Sequence, residues 1–229
     1  MEVNPPSLRV TAAPAPPARE KLADAAYAAL KASILEGLLP PGVETAEQAV
    51  ADQLGMSRTP VHEAALRLQH EGMLLVLPRK GLRVLPLDPE DLRQTYEVLI
   101  ALEGAAAALL ATQGSPGPLA AMARATREMG EALAQADRAA WAAADDRFHR
   151  ALVEGCGNPK LARLAATATD QAQRARALTA TRRPEPVASG LEHEMLLTAL
   201  LAGDADAARA AAAAHRARAS SEILAVLRR

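Results

Sequence analysis

Aromatic side chains are almost absent from this sequence: one Trp, one Phe and two Tyr occur among 229 residues. A core built on large rings is therefore excluded, and alanine and leucine, both strong helix formers, must do the filling. The chain has one cysteine, Cys156, which excludes an internal disulfide and fits a reducing cytoplasm. Nothing at the N-terminus reads as a secretory signal, and Glu103 interrupts the longest apolar run, so no bilayer-spanning helix is expected. Excess charge of either sign is also missing: 26 basic residues face 27 acidic ones, for a net charge of −1. That balance argues against indiscriminate coating of nucleic acid, but a specific reader needs only a local positive patch. A chain of this length can bury a real core, as one large or two modest domains.

The most informative stretch runs from Gln53 to Leu68. Gly55 is suited to end one short helix, and Ser57 to cap the next by accepting a hydrogen bond from a free backbone N–H. Pro60 fits the first turn, where no N–H is required. Val61, Ala64, Ala65 and Leu68 then fall on one side at helical spacing, while Arg58, Thr59, His62 and Arg67 lie elsewhere around the cylinder. A helix-turn-helix reader needs that division between an anchored face and a polar N-terminal end. Two ordinary amphipathic helices around a glycine would look similar, but the sequel separates the readings. Leu74 to Pro78, the turn Arg79-Lys80-Gly81, and Leu82 to Pro86 read as a two-stranded ribbon with a basic tip, the form of a wing. From Met56 to Arg83, five basic residues (Arg58, Arg67, Arg79, Lys80, Arg83) oppose Glu63 and Glu71.

These motifs identify a family. Leu39-Pro40-Pro41-Gly42, Ser57-Arg58-Thr59-Pro60-Val61, Glu71-Gly72 and Lys80-Gly81 resemble, in order and interval, the winged helix-turn-helix domain of GntR-family transcription regulators. The resemblance covers roughly Arg19 to Pro86 and implies a repressor or activator that binds double-stranded DNA as a homodimer, with Arg58, Thr59 and Gly81 at the duplex. Together with the polar residues around them, the expected DNA-contacting set is Gln48, Ser57, Arg58, Thr59, His62, Arg67, Lys80 and Gly81. The family usually carries arginine where this chain has Gln48 and His62. A neutral histidine offers one donor and no fixed charge, so operator sequence cannot be borrowed from relatives and binding is expected to tighten as pH falls.

In chain order, residues 1–18 hold five prolines among small residues and read as a disordered tail. A helix is expected over 20–38, stopped by Pro40-Pro41-Gly42, and Thr45 begins a second over 46–54. The winged domain spans 19–86, Leu85-Pro86-Leu87 is the linker, and 87–229 is a second domain. Helix starts are marked by Asp88-Pro89, Ser115-Pro116, Asp137, Asn158-Pro159, Ser189 and Asp204. The fold class is mostly α: a winged helix-turn-helix followed by an all-α bundle of six to seven helices.

Three of the five histidines lie in this second domain. Asp145 and His149 are four residues apart, hence on one helix face. His193 and His215 flank the joint Gly203-Asp204; at ~1.5 Å rise per residue they stand ~15 Å and ~17 Å from it. If those helices fold back on each other, both imidazoles reach one level. One carboxylate and three imidazoles suit a divalent Zn, Ni or similar ion with coordination positions left over. The alternative is a set of core or surface histidines that merely line up.

Asp145-Asp146-Arg147-Phe148-His149, Gly157-Asn158-Pro159, Glu192-His193, Gly203-Asp204 and His215 further resemble the FCD ligand-binding domain of the FadR-like branch, over about Pro89 to Leu227. That resemblance implies that Asp145, His149, His193 and His215 hold the metal, with Asp146 as second choice to Asp145, and that a small carboxylate effector binds beside or on it. Where many relatives place an arginine, this chain has Leu99, so either the effector is less acidic or another cation supplies the charge; Arg147, Arg150 and Arg174 are available, but each is expected at the surface, solvated or paired, and none is assigned. The leading reading is a cytoplasmic one-component regulator, acting as a repressor on a pseudo-palindromic operator. Two alternatives remain: a helical metal-assisted hydrolase, with Asp146 and Glu194 nearest to serve as base, and a regulator whose metal is purely structural or is itself the signal.

Overall fold

The computed structural model describes residues 18–113 and 115–228, which divide into two compact units. The first comprises the described part of 1–32 with Gly42–Leu85; the second comprises Ser33–Pro41 with the described part of 86–229. The tail expected over 1–18 lies, but for its last residue, outside the described residues.

Helix α1 spans Ala18–Leu35 and ends earlier than expected, at a turn where Gly37 N–H donates to the Ile34 carbonyl. Within the first unit, α2 (Glu47–Leu54) and α3 (Arg58–His70) form the helix-turn-helix. Gly55 adopts the left-handed conformation (φ 65°), which turns the chain between them. Ser57 occupies the N-cap position with extended backbone, but its side chain makes no cap hydrogen bond. Val61, Ala64, Ala65 and Leu68 are fully buried, as their spacing requires. Tyr27 of α1 donates from its hydroxyl to Glu71 Oε1 (2.6 Å), tying α1 to the end of α3.

The wing differs from the expected two-stranded ribbon. Strands β2 (Leu74–Leu77) and β3 (Gly81–Val84) pair antiparallel, and β1 (Glu44–Thr45) adds to the other edge of β3. Thr45 is thus a strand residue, not the start of α2, and Ala46 takes the cap position. Two-residue strands carry no alternation to read, which is why β1 was invisible in the sequence. Gly81 has φ 101°, and a Cβ there would lie 2.2 Å from the Thr45 carbonyl oxygen. The glycine is needed for the close approach of β1.

The second unit is all helical among its described residues: α4 (Pro89–Gln113), α5 (Pro116–Ala134), α6 (Arg138–Glu154), α7 (Pro159–Thr179), a 3₁₀ turn (Ala180–Arg182), α8 (Val187–Leu201) and α9 (Ala205–Leu227). Capping accounts for several starts. Asp88 accepts from Glu90 and Asp91 N–H, Asp137 from Ala140, Asn158 from Lys160 and Leu161, and Asp204 from Ala207. Ser115 precedes α5 without a side-chain cap bond, and Ser189 lies inside α8 rather than at its start.

Helix α4 has a mean hydropathy of 1.4 over 18 residues, so by length and composition alone it could cross a membrane despite Glu103. Its packing gives the physical account: Leu92, Tyr96 and Leu99 are buried with Ala172, Ala175 and Ile223 of α7 and α9. It is the central helix of the bundle, and Leu99 fills core where an arginine was expected. A second cluster gathers Leu110, Met122, Met129, Trp141, Phe148 and Leu196 from α4, α5, α6 and α8. Trp141 and Phe148 bring this apolar layer up to the histidines.

Candidate metal centre and nucleic-acid interface

Asp145 and His149 project from one face of α6, His193 from α8 and His215 from α9. All four are buried, and one ligand atom from each lies within 4.8 Å of the others. Asp145 Oδ1 is 3.6 Å from His149 Nε2 and 3.5 Å from His193 Nε2, and the two nitrogens are 3.4 Å apart. The His193 and His215 ring centroids are 4.5 Å apart across the α8–α9 hairpin. Ligand atoms about 2.0–2.2 Å from a tetrahedral first-row ion stand ~3.3–3.6 Å apart, so Asp145, His149 and His193 fit one, with His215 close beside them.

The electrostatics agree with that chemistry. Burial pushes the His193 imidazole well below its ordinary range, and His215 adds to the shift while Asp145 opposes it. Burial likewise lowers His215, against the hydrogen bond to Glu192. Neutral imidazoles present the lone pairs that a metal needs. Burial alone would raise the Asp145 carboxyl; Arg176 and the adjacent imidazoles outweigh it and hold it well below the usual carboxylate range.

A second layer of side chains positions the first. His215 Nδ1–H donates to Glu192 Oε2 (2.8 Å), which turns the other ring nitrogen away from that carboxylate. Glu192 is fixed in turn by Arg218, whose Nη2 donates to Oε2 at 2.7 Å. His149 Nδ1 lies 3.3 Å from Glu103 Oε2, outside hydrogen-bond geometry, and Glu103 is clamped by Arg216.

The arginine seen to pair with the cluster is not among those the sequence offered. Arg147 pairs with Glu128 and Arg150 with Asp146, both toward solvent, while Arg174 is buried. Instead, Arg176 places Nε 3.2 Å from Asp145 Oδ2. Its Nη1 and Nη2, together with Tyr96 Oη, Arg183 Nε and Arg216 Nη1, are buried without hydrogen-bond partners. Sequence reading missed Glu103, Tyr96, Arg176, Glu192 and Arg216. One signal existed: Glu103 is the single charge in the apolar stretch 98–112 of α4 and demands a buried cation, and Arg216 adjoins His215.

In the first unit, Gln48, Ser57, Arg58, Thr59 and Lys80 are exposed, and His62 is half-buried. The buried Glu47 joins two of them. Arg58 Nε donates to its Oε2 (2.6 Å) and His62 Nδ1 to its Oε1 (2.7 Å), while the Arg58 side chain stays 65% exposed. Gln48 donates to Asp52 Oδ1. Arg67 is drawn elsewhere: it donates to Asp24 Oδ1 (2.6 Å) and stacks 3.9 Å above the Tyr27 ring, against α1.

Comparison with known proteins decides the family. Residues 22–84 match the bacterial regulatory proteins of the gntR family, and residues 94–218 match the FCD domain. The chain belongs to the GntR family of regulators, in its FCD-bearing branch. It is similar to an HTH-type transcriptional regulator in the TAR-I ttuE-ttuC' intergenic region of Agrobacterium vitis, with 50% identity over 132 residues, 56% of this chain and 77% of that protein. Its fold is similar to that of Escherichia coli McbR/YncC, with a TM-score of 0.79 at 24% identity over 91% of this chain and 99% of that one. It is also similar to the metal-free FCD domain of TM0439, with a TM-score of 0.51 at 21% identity over 62% of this chain and 98% of that one. The relatives are transcription regulators and not enzymes, which sets aside the hydrolase alternative. This regulator carries a buried Asp/His cluster of the kind that forms the FCD metal site.

Proposed function

We propose that this GntR/FCD regulator is a homodimeric, cytoplasmic repressor whose grip on a pseudo-palindromic operator is set by a small carboxylate bound at a metal centre. The observation that carries the reading is the convergence of Asp145, His149, His193 and His215 in the buried interior of the helical unit. A divalent ion held there supplies a Lewis-acid point for a carboxylate oxygen. The surrounding chain does the rest. Glu192 keeps the His215 ring in orientation, and the unpartnered donors of Arg176, Tyr96 and Arg216 favour an anion over a neutral guest. Phe148 and Trp141 pack against His193 and keep water from that side.

At the duplex, Arg58, Ser57, Thr59 and His62 at the start of α3 enter the major groove, with Gln48, Lys80 and Gly81 alongside. Arg67 is left out of this set because its guanidinium is held on α1. Effector binding changes DNA affinity only through unequal affinity for the DNA-competent and DNA-incompetent arrangements.

Operator binding measured with metal-loaded and chelator-treated protein, each with and without a panel of carboxylic acids, tests the reading. An acid-dependent change in affinity that disappears on chelation is the expected result. DNA binding indifferent to both treatments would overturn it.

A further inference from the structure

We infer that the effector carries a hydrocarbon body beyond its carboxylate, lodged in a groove that opens beside Trp141. This rests on the reading above, in which an acid binds at the metal centre, and it names the chemistry of the rest of that acid.

The groove lies where the end of α5, the start of α6 and the 3₁₀ segment after α7 meet, and it is partly open to solvent, with an inner cavity of about 40 Å³. Arg176 belongs to both places: its Nε is 3.2 Å from Asp145 Oδ2, and its side chain forms part of the groove wall. That side chain is nine-tenths buried, yet Nη1 and Nη2 make no hydrogen bond. Arg183 and Trp141 also line the groove, with Nε and Nε1 buried and unpartnered. These unpartnered nitrogens mark where a carboxylate sits, beside the Arg176 ion pairs with Asp145 and, at 3.8 Å, with Asp146, because buried donors without a hydrogen bond are costly.

The rest of the lining has another character. Leu133, Ala142, Ala180, Pro184 and Pro186 offer methyl groups and pyrrolidine rings without hydrogen-bonding side chains. The two acidic residues of the lining are engaged or outside: Asp137 accepts from Ala140 N–H, and Glu185 is exposed. Arg138 donates to the carbonyls of Ala180 and, at 3.1 Å, of Arg183, which holds the 3₁₀ wall in place. A guest anchored by its carboxylate would therefore run along an apolar surface toward the mouth. Alkanoates and arylalkanoates meet that description; polyhydroxylated sugar acids do not, since each hydroxyl on such a wall loses its water without replacement.

Calorimetric titration of metal-loaded regulator with acetate, butyrate and hexanoate tests the inference, with gluconate as a six-carbon acid of polar body. Affinity should rise about fourfold per buried methylene, the fold-change equivalent to ~0.8 kcal/mol, and gluconate should bind no better than acetate. Ala142→Leu, which fills the groove from α6, should flatten the series, and Ala142→Ser should keep its slope. A flat series in the unaltered protein, or gluconate binding tighter than hexanoate, would overturn the proposal without recourse to any variant. Repeating the titrations after chelation separates it from the metal reading. Chain-length dependence that survives metal removal leaves the groove standing alone, whereas metal-dependent acetate binding with a flat series removes the groove only.

Discussion

Arg216 of α9 grips Glu103 of α4 through two parallel hydrogen bonds, Nε to Oε2 at 2.7 Å and Nη2 to Oε1 at 2.5 Å, with both side chains essentially inaccessible. Removing one partner of such a pair leaves an uncompensated buried charge. Glu103→Ala should therefore cost about 3–5 kcal/mol of stability in urea unfolding, whereas Glu103→Leu combined with Arg216→Met should cost far less. Equal losses for the single and double variants would show that the pair's charge is not what matters.

Gly81 predicts a steric effect. Its φ of 101° and the 2.2 Å that would separate an added Cβ from the Thr45 carbonyl oxygen leave no room for a side chain. Gly81→Ala should destabilise the winged unit by more than ~1 kcal/mol and displace β1. Amide exchange across Glu44, Thr45 and Leu82 reads this directly, and unchanged protection there would contradict it.

Glu47 gives a pH dependence. Burial works to raise its carboxyl, but hydrogen bonds from His62 and Arg58 outweigh burial and leave it below the usual range. The folded state thus binds its proton less readily than the unfolded chain, whose value is near ~4.3. The stabilisation is complete above that value and is lost as pH falls through the lower folded-state pKa. The stability gap between the unaltered protein and Glu47→Gln should accordingly narrow on acidification below pH ~4.3. A constant gap would mean the carboxylate is not stabilised by its two partners.

Arg58→Ala should weaken operator binding by about 1–3 kcal/mol, the value of a good groove contact, with a smaller loss of stability because Glu47 keeps His62 as a partner. Fluorescence anisotropy with a labelled operator measures it. Unaltered affinity would place the reading surface elsewhere.

His193→Ala should lower metal content measured by mass spectrometry and leave metal-free DNA binding intact. Glu192→Gln keeps all four ligands but loosens His215, so metal should remain at saturation with affinity reduced about 10–100-fold. Stoichiometric tight binding in both variants would mean the ion sits elsewhere.

Much of this protein could be read from residue order. The periodicity of Val61, Ala64, Ala65 and Leu68 located α3, and caps at Asp88, Asp137, Asn158 and Asp204 located four later helices, because these are local effects decided within one or two turns. The i,i+4 spacing of Asp145 and His149, with two histidines at matched distances from Gly203, pointed to one cluster. Strand β1 escaped because two residues have no pattern. Arg147 and Arg150 pair at the surface, as expected of them, whereas Arg174 is buried and Arg176 stands at the cluster, because burial and partner choice are not local properties. The contacts of Arg67 with Tyr27 and Asp24 escaped for the same reason, since nothing near it in sequence announces them.

The sequence by itself determined which helices form, where several of them start, and which four side chains could chelate an ion, since propensity, capping and helical pitch act over neighbouring residues. Only the tertiary structure decided which charges are buried together: Glu103 with Arg216, Asp145 beside Arg176, His215 against Glu192, and Glu47 beneath Arg58 and His62. Those pairings join residues far apart in the chain, and their strength comes from the low-dielectric interior that exists only once the helices have packed.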